Sequence, residues 1–209
     1  MMAFITHCWK STRAELLARF LIAWLAVCLP LSAWAQTSAA EISQIKLERS
    51  ADGLQLSANI NFKLSNVVQE ALQKGVTVVF LVEAEVSRDR WYWTDKKIVS
   101  VARSMRLSFN PMTRRWRLAL GVSDGTPPAA SLSLNFDTLE EALATVQQVS
   151  NWRIAEWREL DSQSRHQLEL RFRLDLGQLP RPMQIGVLGQ ADWALSASQT
   201  QKFVPGEIR

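Results

Sequence analysis

The sequence predicts an α+β fold dominated by antiparallel sheet, about eight strands with two short helices, and three observations carry that expectation. Strict alternation recurs along the chain, as where Leu54, Leu56, Ala58, Ile60, Phe62 and Leu64 interleave with Gln55, Ser57, Asn59, Asn61 and Lys63. Only a strand places such a set on one face. Two short stretches switch instead to helical spacing behind a capping residue. Turn chemistry separates the runs, most clearly at Asp52-Gly53 and Asn110-Pro111.

In chain order, Ile42 to Arg49 is a first strand and Leu54 to Leu64 its hairpin partner. Ser65 then caps a helix through Lys74, with Val67, Val68, Ala71 and Leu72 inward and Gly75 at its end. Val76 to Trp93 is the longest β-signal and the expected central strand. Its even positions through Val86 are all apolar, whereas its odd positions turn polar from Glu83. Ile98 to Phe109 returns as a hairpin, and Trp116, Leu118, Leu120 and Val122 alternate as the next strand. Ser123 to Ala130 reads as an exposed loop, because Pro127 and Pro128 cannot donate to a ladder. Ser131 to Phe136 leads into a second helix. There Thr138 and Glu141 form a capping box, and Leu139, Ala142, Leu143, Val146 and Val149 form one stripe. Trp152 to Glu159 and His166 to Leu176 complete the strands, and the tail beyond Pro182 is expected over an edge or end of the sheet. The order strand, strand, helix, strand, strand occurs twice, which raises the hypothesis of an internal duplication.

The first 35 residues have the layout of a secretory signal. Lys10, Arg13 and Arg19 precede the apolar run Phe20 to Trp34, and Ala33-Trp34-Ala35 provides the small-x-small site. The expected organisation is a signal over 1–35 and one domain over 36–209, with a periplasmic location. The alternative is an uncleaved N-terminus anchored in the inner membrane. Cleavage after Ala35 removes both cysteines, Cys8 and Cys28, so disulfides, cysteine nucleophiles and thiolate metal sites are not expected in the mature chain. Losing Lys10, Arg13 and Arg19 against Glu15 also takes the formal charge from +4 down to +2. The basic balance is then no argument for nucleic acid, and contact with a membrane is expected only transiently, through the signal.

No motif of established chemistry stands out. Glu83 and Glu85 lie two apart on the solvated face of a strand, where cross-strand cations are the expected partners. His166 is the only histidine after the signal and is expected half-exposed at a strand start. With it alone, a histidine-based metal site is excluded, and no cofactor is expected. Matching the central hairpin by its apolar faces pairs Val82 with Phe109, Ala84 with Leu107, Val86 with Met105 and Glu85 with Arg106. That register places Arg88 opposite Arg103. Arg88, Arg90 and Arg103 beside Trp91 and Trp93 are therefore the candidate binding residues, suited to a phosphate, a carboxylate or an acidic segment.

Several segments together, RWYW before Asp95, LSFNPMTRRWRL, FDTLEEAL, NWRI, and LRFRLDLGQLPRPMQI with Asp192-Trp193, resemble the proteobacterial exported family catalogued as domain of unknown function 4390. The resemblance covers nearly all of the mature chain, although the tail after Trp193 departs from the family's more aromatic pattern. It implies an exported location and, through membrane sensor kinases encoded beside similar proteins, a signalling accessory. The leading expectation is a non-enzymatic periplasmic module that binds an envelope protein or an anionic ligand. A small-molecule or lipid carrier with a pocket between sheet and helices comes second, and a carboxylate-based hydrolase third.

Overall fold

The computed structural model describes residues 40–88, 96–122, 132–187 and 190–208, all within the unit Ser38–Arg209. Among them nine strands form two antiparallel sheets. The smaller sheet pairs β1 (Ala40–Ser50) with β2 (Gly53–Phe62), and β2 with β7 (Gln148–Ala155). The larger one runs in the order β6 (Leu132–Phe136), β5 (Arg115–Val122), β4 (Lys96–Asn110), β3 (Val78–Arg88), β8 (His166–Leu174) and β9 (Ser196–Phe203). β3 is thus an interior strand, as its unbroken apolar face requires: Val78, Phe80, Val82, Ala84 and Val86 are all buried.

The sheets meet through this face. Phe62 on β2 lies 5.6 Å from Phe80 on β3 and 5.1 Å from Phe172 on β8, centroid to centroid, and the last two rings stack at 6.0 Å. Such contacts add about 0.5–1.5 kcal/mol per pair to the burial of the rings themselves. Leu54, Leu56, Ile60, Leu168 and Leu170 extend the same core.

Local chemistry sets the connections. Gly53 holds φ +140° in the β1–β2 turn, and a Cβ there would come within 2.2 Å of the Ala155 carbonyl oxygen. Only glycine lets β2 start beside β7. Ser65 caps α1 (Asn66–Gln73) by accepting from the Val68 N–H, and Thr138 caps α2 (Leu139–Gln147) by accepting from the Glu141 N–H. Val68, Ala71 and Leu72 are buried on α1, whereas Val67, expected inward, is 42 % exposed at the edge of the stripe. Asn110 Oδ1 accepts from the N–H groups of Met112 and Thr113, which closes the β4–β5 turn around Pro111.

Four expectations need correction. Trp157 lies outside a strand, in a 3₁₀ turn, Trp157–Glu159, where its indole N–H donates to the Ser50 carbonyl at 2.8 Å. The proline segment forms a third helix, α3 (Arg181–Val187), and the tail adds β9 to the edge of the larger sheet. The two halves of the chain are not equivalent: β3 and β4 are neighbours in one sheet, whereas their counterparts β7 and β8 lie in different sheets, so the shared element order is not a shared architecture.

The fourth is the hairpin register. Val82 faces Arg103, Ala84 faces Val101, Val86 faces Val99 and Glu85 faces Ser100, with an irregularity between Val86 and Ser87. Each of these four partners is displaced by six residues from the expectation, and beyond the irregularity Arg88 is displaced by seven, facing Lys96. An even displacement leaves each side chain on its expected face, so apolar matching cannot detect it. In the cysteine-free protein starting at Gln36, cysteines at Glu85 and Ser100 should therefore cross-link on oxidation, whereas cysteines at Glu85 and Arg106 should not. Six strand residues separate the two alternatives by about 20 Å, and a disulfide requires Cα atoms within about 7 Å.

Candidate functional site

The corrected register disperses the predicted cluster. Arg88 ends β3 with Lys96 and His166 as its cross-strand neighbours, and its guanidinium meets the Asp161 carboxylate at 3.6 Å. Arg103 stands seven residues along β4 from Lys96, opposite Val82. Arg90, Trp91 and Trp93 lie outside the described residues.

Arg103 has the less ordinary environment of the two arginines. It shares the inner face of β4 with Met105 and Leu107, and its guanidinium carbon sits 5.1 Å from the ring centroid of Trp152 on β7. Burial pulls its pKa below the ordinary arginine value, and no carboxylate among the described residues pairs with it. A guanidinium carries five N–H donors, and an aromatic face satisfies the charge without accepting those hydrogens in their own plane. The position is therefore cationic, partly dehydrated and short of acceptors, which suits an oxyanion.

His166 is fully buried rather than half-exposed. It stacks on Phe203 with centroids 5.7 Å apart, and β3 and β9 flank it on both sides. Its Nδ1 lies 2.8 Å from the Ser164 carbonyl oxygen and must carry the hydrogen there, since a carbonyl only accepts. Nε2 has no hydrogen-bond partner among the described residues. Ser164 Oγ donates to Asp161 at 2.6 Å instead of approaching the imidazole. Serine, histidine and aspartate are thus close in sequence without forming a nucleophile–base pair. The burial was not visible in the sequence, because it depends on β9.

On the outer face of the same sheet Glu83 and Glu85 are engaged electrostatically. Arg173 reaches Glu83 at 3.5 Å and Lys97 reaches Glu85 at 2.8 Å. Glu85 also lies directly opposite Glu169, a repulsive arrangement that Lys97 and Arg171 offset. The Arg171 pKa is raised, first by its hydrogen bond and charge pairing with Glu169. Among the described residues no group of three or more histidine, aspartate or glutamate side chains is placed to hold a metal ion.

Clefts among the described residues flank the core. One of about 310 Å³ lies between the start of α1 and the Ala191–Trp193 turn, lined by Leu64, Ser65, Val68, Leu174 and Leu195 among others. A wider one, about 600 Å³, opens between the outer strands β1 and β9, with Ile45, Leu47, Phe203 and Ile208 as its apolar lining. The fold and these sites define a two-sheet antiparallel sandwich with a half-buried arginine facing between its layers. The chain belongs to the family described as domain of unknown function 4390, whose model matches residues 37–203. No curated protein and no solved structure matches it.

The loop beside Arg88 makes a testable prediction about acid. Asp161 accepts from Ser164 Oγ and the Gln163 N–H, and these two bonds, with a lesser contribution from the Arg88 charge, hold its pKa below the usual carboxylate value against the opposing effect of burial. A depressed carboxylate contributes stability above its unfolded pKa, about 4, that is lost as the pH falls through the lower folded value. Amide exchange at Gln163 and Ser164 should therefore accelerate below about pH 4. Asp161→Asn should show the faster exchange already at neutral pH and lose that acid step.

Proposed function

We propose that this protein is an exported, non-enzymatic binding module that holds an anionic group of an envelope protein or other envelope component through the β3–β4 hairpin. The observation that supports this most is Arg103, half-buried against Trp152 without a carboxylate among the described residues. The same hairpin carries Lys96 and Lys97 towards its end, although Lys97 is paired there with Glu85. The signal-like N-terminus supports the exported, periplasmic location, and family membership adds no activity.

A second reading, a carrier of small apolar molecules, is favoured by the cleft between β1 and β9. Its apolar residues come from the edges of the two sheets rather than from a sheet and a helix.

N-terminal sequencing of the protein recovered from cells should begin at Gln36. In intact cells, Arg103→Gln should reduce capture of a partner by cross-linking while lowering stability by no more than about 1 kcal/mol, the scale of one partly exposed cation–π contact. Unchanged capture together with a larger loss of stability would make Arg103 a structural residue. Saturable uptake of an apolar fluorophore, abolished by Leu47→Asp, would favour the carrier.

A further inference from the structure

The outer face of the larger sheet is divided electrostatically. Across β3 and β8, Glu83, Glu85, Glu169 and Asp175 compensate Lys97, Arg171 and Arg173. The three strands on the other side, β4, β5 and β6, carry Arg106, Arg115 and Arg117 on this face, and along their whole length not one acidic residue. Arg106 and Arg117 project from the outer face and are exposed. The first has Val79 and Ala119 as cross-strand neighbours, and the second donates to Ser133 Oγ at 2.6 Å. Arg115 meets Asp137 at 3.2 Å, and neither Arg106, Arg114 nor Arg117 has a carboxylate partner among the described residues.

The β4–β5 turn at the end of this face presents an apolar side chain. Met112 is 92 % exposed at its apex, between Pro111 and the Arg114-Arg115 pair. Asn110 Oδ1 clamps the turn through the Met112 and Thr113 N–H groups, and Arg114 holds φ +53°. The exposure is thus a property of an ordered turn. An unbranched apolar side chain held out beside guanidinium groups matches the boundary between acyl chains and phosphates, where each finds its preferred medium.

We propose that this turn and the adjoining face of β4–β5–β6 form a docking surface for an anionic bilayer. Met112 enters the interface while Arg106, Arg114 and Arg117 contact lipid phosphates. The face between them is built of small side chains, Ser104, Ser108, Ala119 and Ser133, which suits a planar array of phosphates better than a shaped protein partner. A single methionine with a few arginines makes the contact weak and reversible. Lys96 begins β4 at its other end, some 50 Å away along a strand of this length, so the candidate site at that end of the hairpin is remote from the docked surface.

Every core residue among the described ones lies within the unit Ser38–Arg209, so the protein starting at Gln36 can be tested without the apolar Phe20 to Trp34 run. Co-sedimentation with vesicles of phosphatidylcholine and phosphatidylglycerol should show binding at low salt that fades as salt screens it, and none to phosphatidylcholine alone. Each arginine contributes about a fivefold factor at an anionic surface. Arg106→Gln with Arg117→Gln should therefore weaken binding by more than tenfold, and Met112→Ser should weaken it without altering its salt dependence. All three positions are exposed, so the variants should melt as the parent does. Arg103→Gln should bind vesicles normally, which separates this surface from the hairpin site. Absence of binding, or equal binding by the double variant, would overturn the proposal. So would binding to poly-glutamate but not to vesicles, which would assign the face to an acidic protein.

Discussion

The contact of Phe62 with Phe80 and Phe172 is the constraint on which the architecture rests. β2 belongs to one sheet and β3 and β8 to the other, so three rings join layers that share no ladder hydrogen bond. Their burial also determines which strand must lie at the centre. Phe80 and Phe172 are fully buried where β3 lies between β4 and β8, and β8 between β3 and β9. Helices α1 and α2 then follow the strands that deliver them, their caps at Ser65 and Thr138 marking where the chain leaves each sheet.

Much of this was legible in the residues because burial imposes a period. The strict alternation in β2, β3 and β8 gave the buried faces correctly, and both helix caps were visible as single polar residues before apolar stripes. β9 was not legible, and the reason is physical. Ser196 to Lys202 forms an edge strand without a strongly buried face, so no alternation is required of it. The hairpin register failed for a different reason. Faces repeat every two residues, so all even displacements satisfy the same pattern, and only the neighbouring strands β5 and β8 select one of them.

The candidate site shows the same division between local and global information. Which arginines face inward was readable from parity, and Arg103 does face the second sheet. Which of them meet was not, because that depends on register. Arg88 found its carboxylate in a loop carrying Asp161, a contact between distant parts of the chain. His166 became buried when the tail returned as β9 and brought Phe203 over its ring. What separates the two arginines functionally is therefore tertiary: one is neutralised by Asp161, and the other is half-buried against Trp152 without a carboxylate among the described residues.

If the sheets are joined through the aromatic rings, the energetic signature is coupling across layers rather than the burial of any one ring. A double-mutant cycle with Phe62→Leu and Phe172→Leu, followed by denaturant unfolding of the protein starting at Gln36, measures it directly. The account predicts a coupling energy of about 0.5–1.5 kcal/mol, the range for stacked aromatic pairs. Additivity of the two substitutions within about 0.3 kcal/mol would contradict it and locate the junction between the sheets elsewhere.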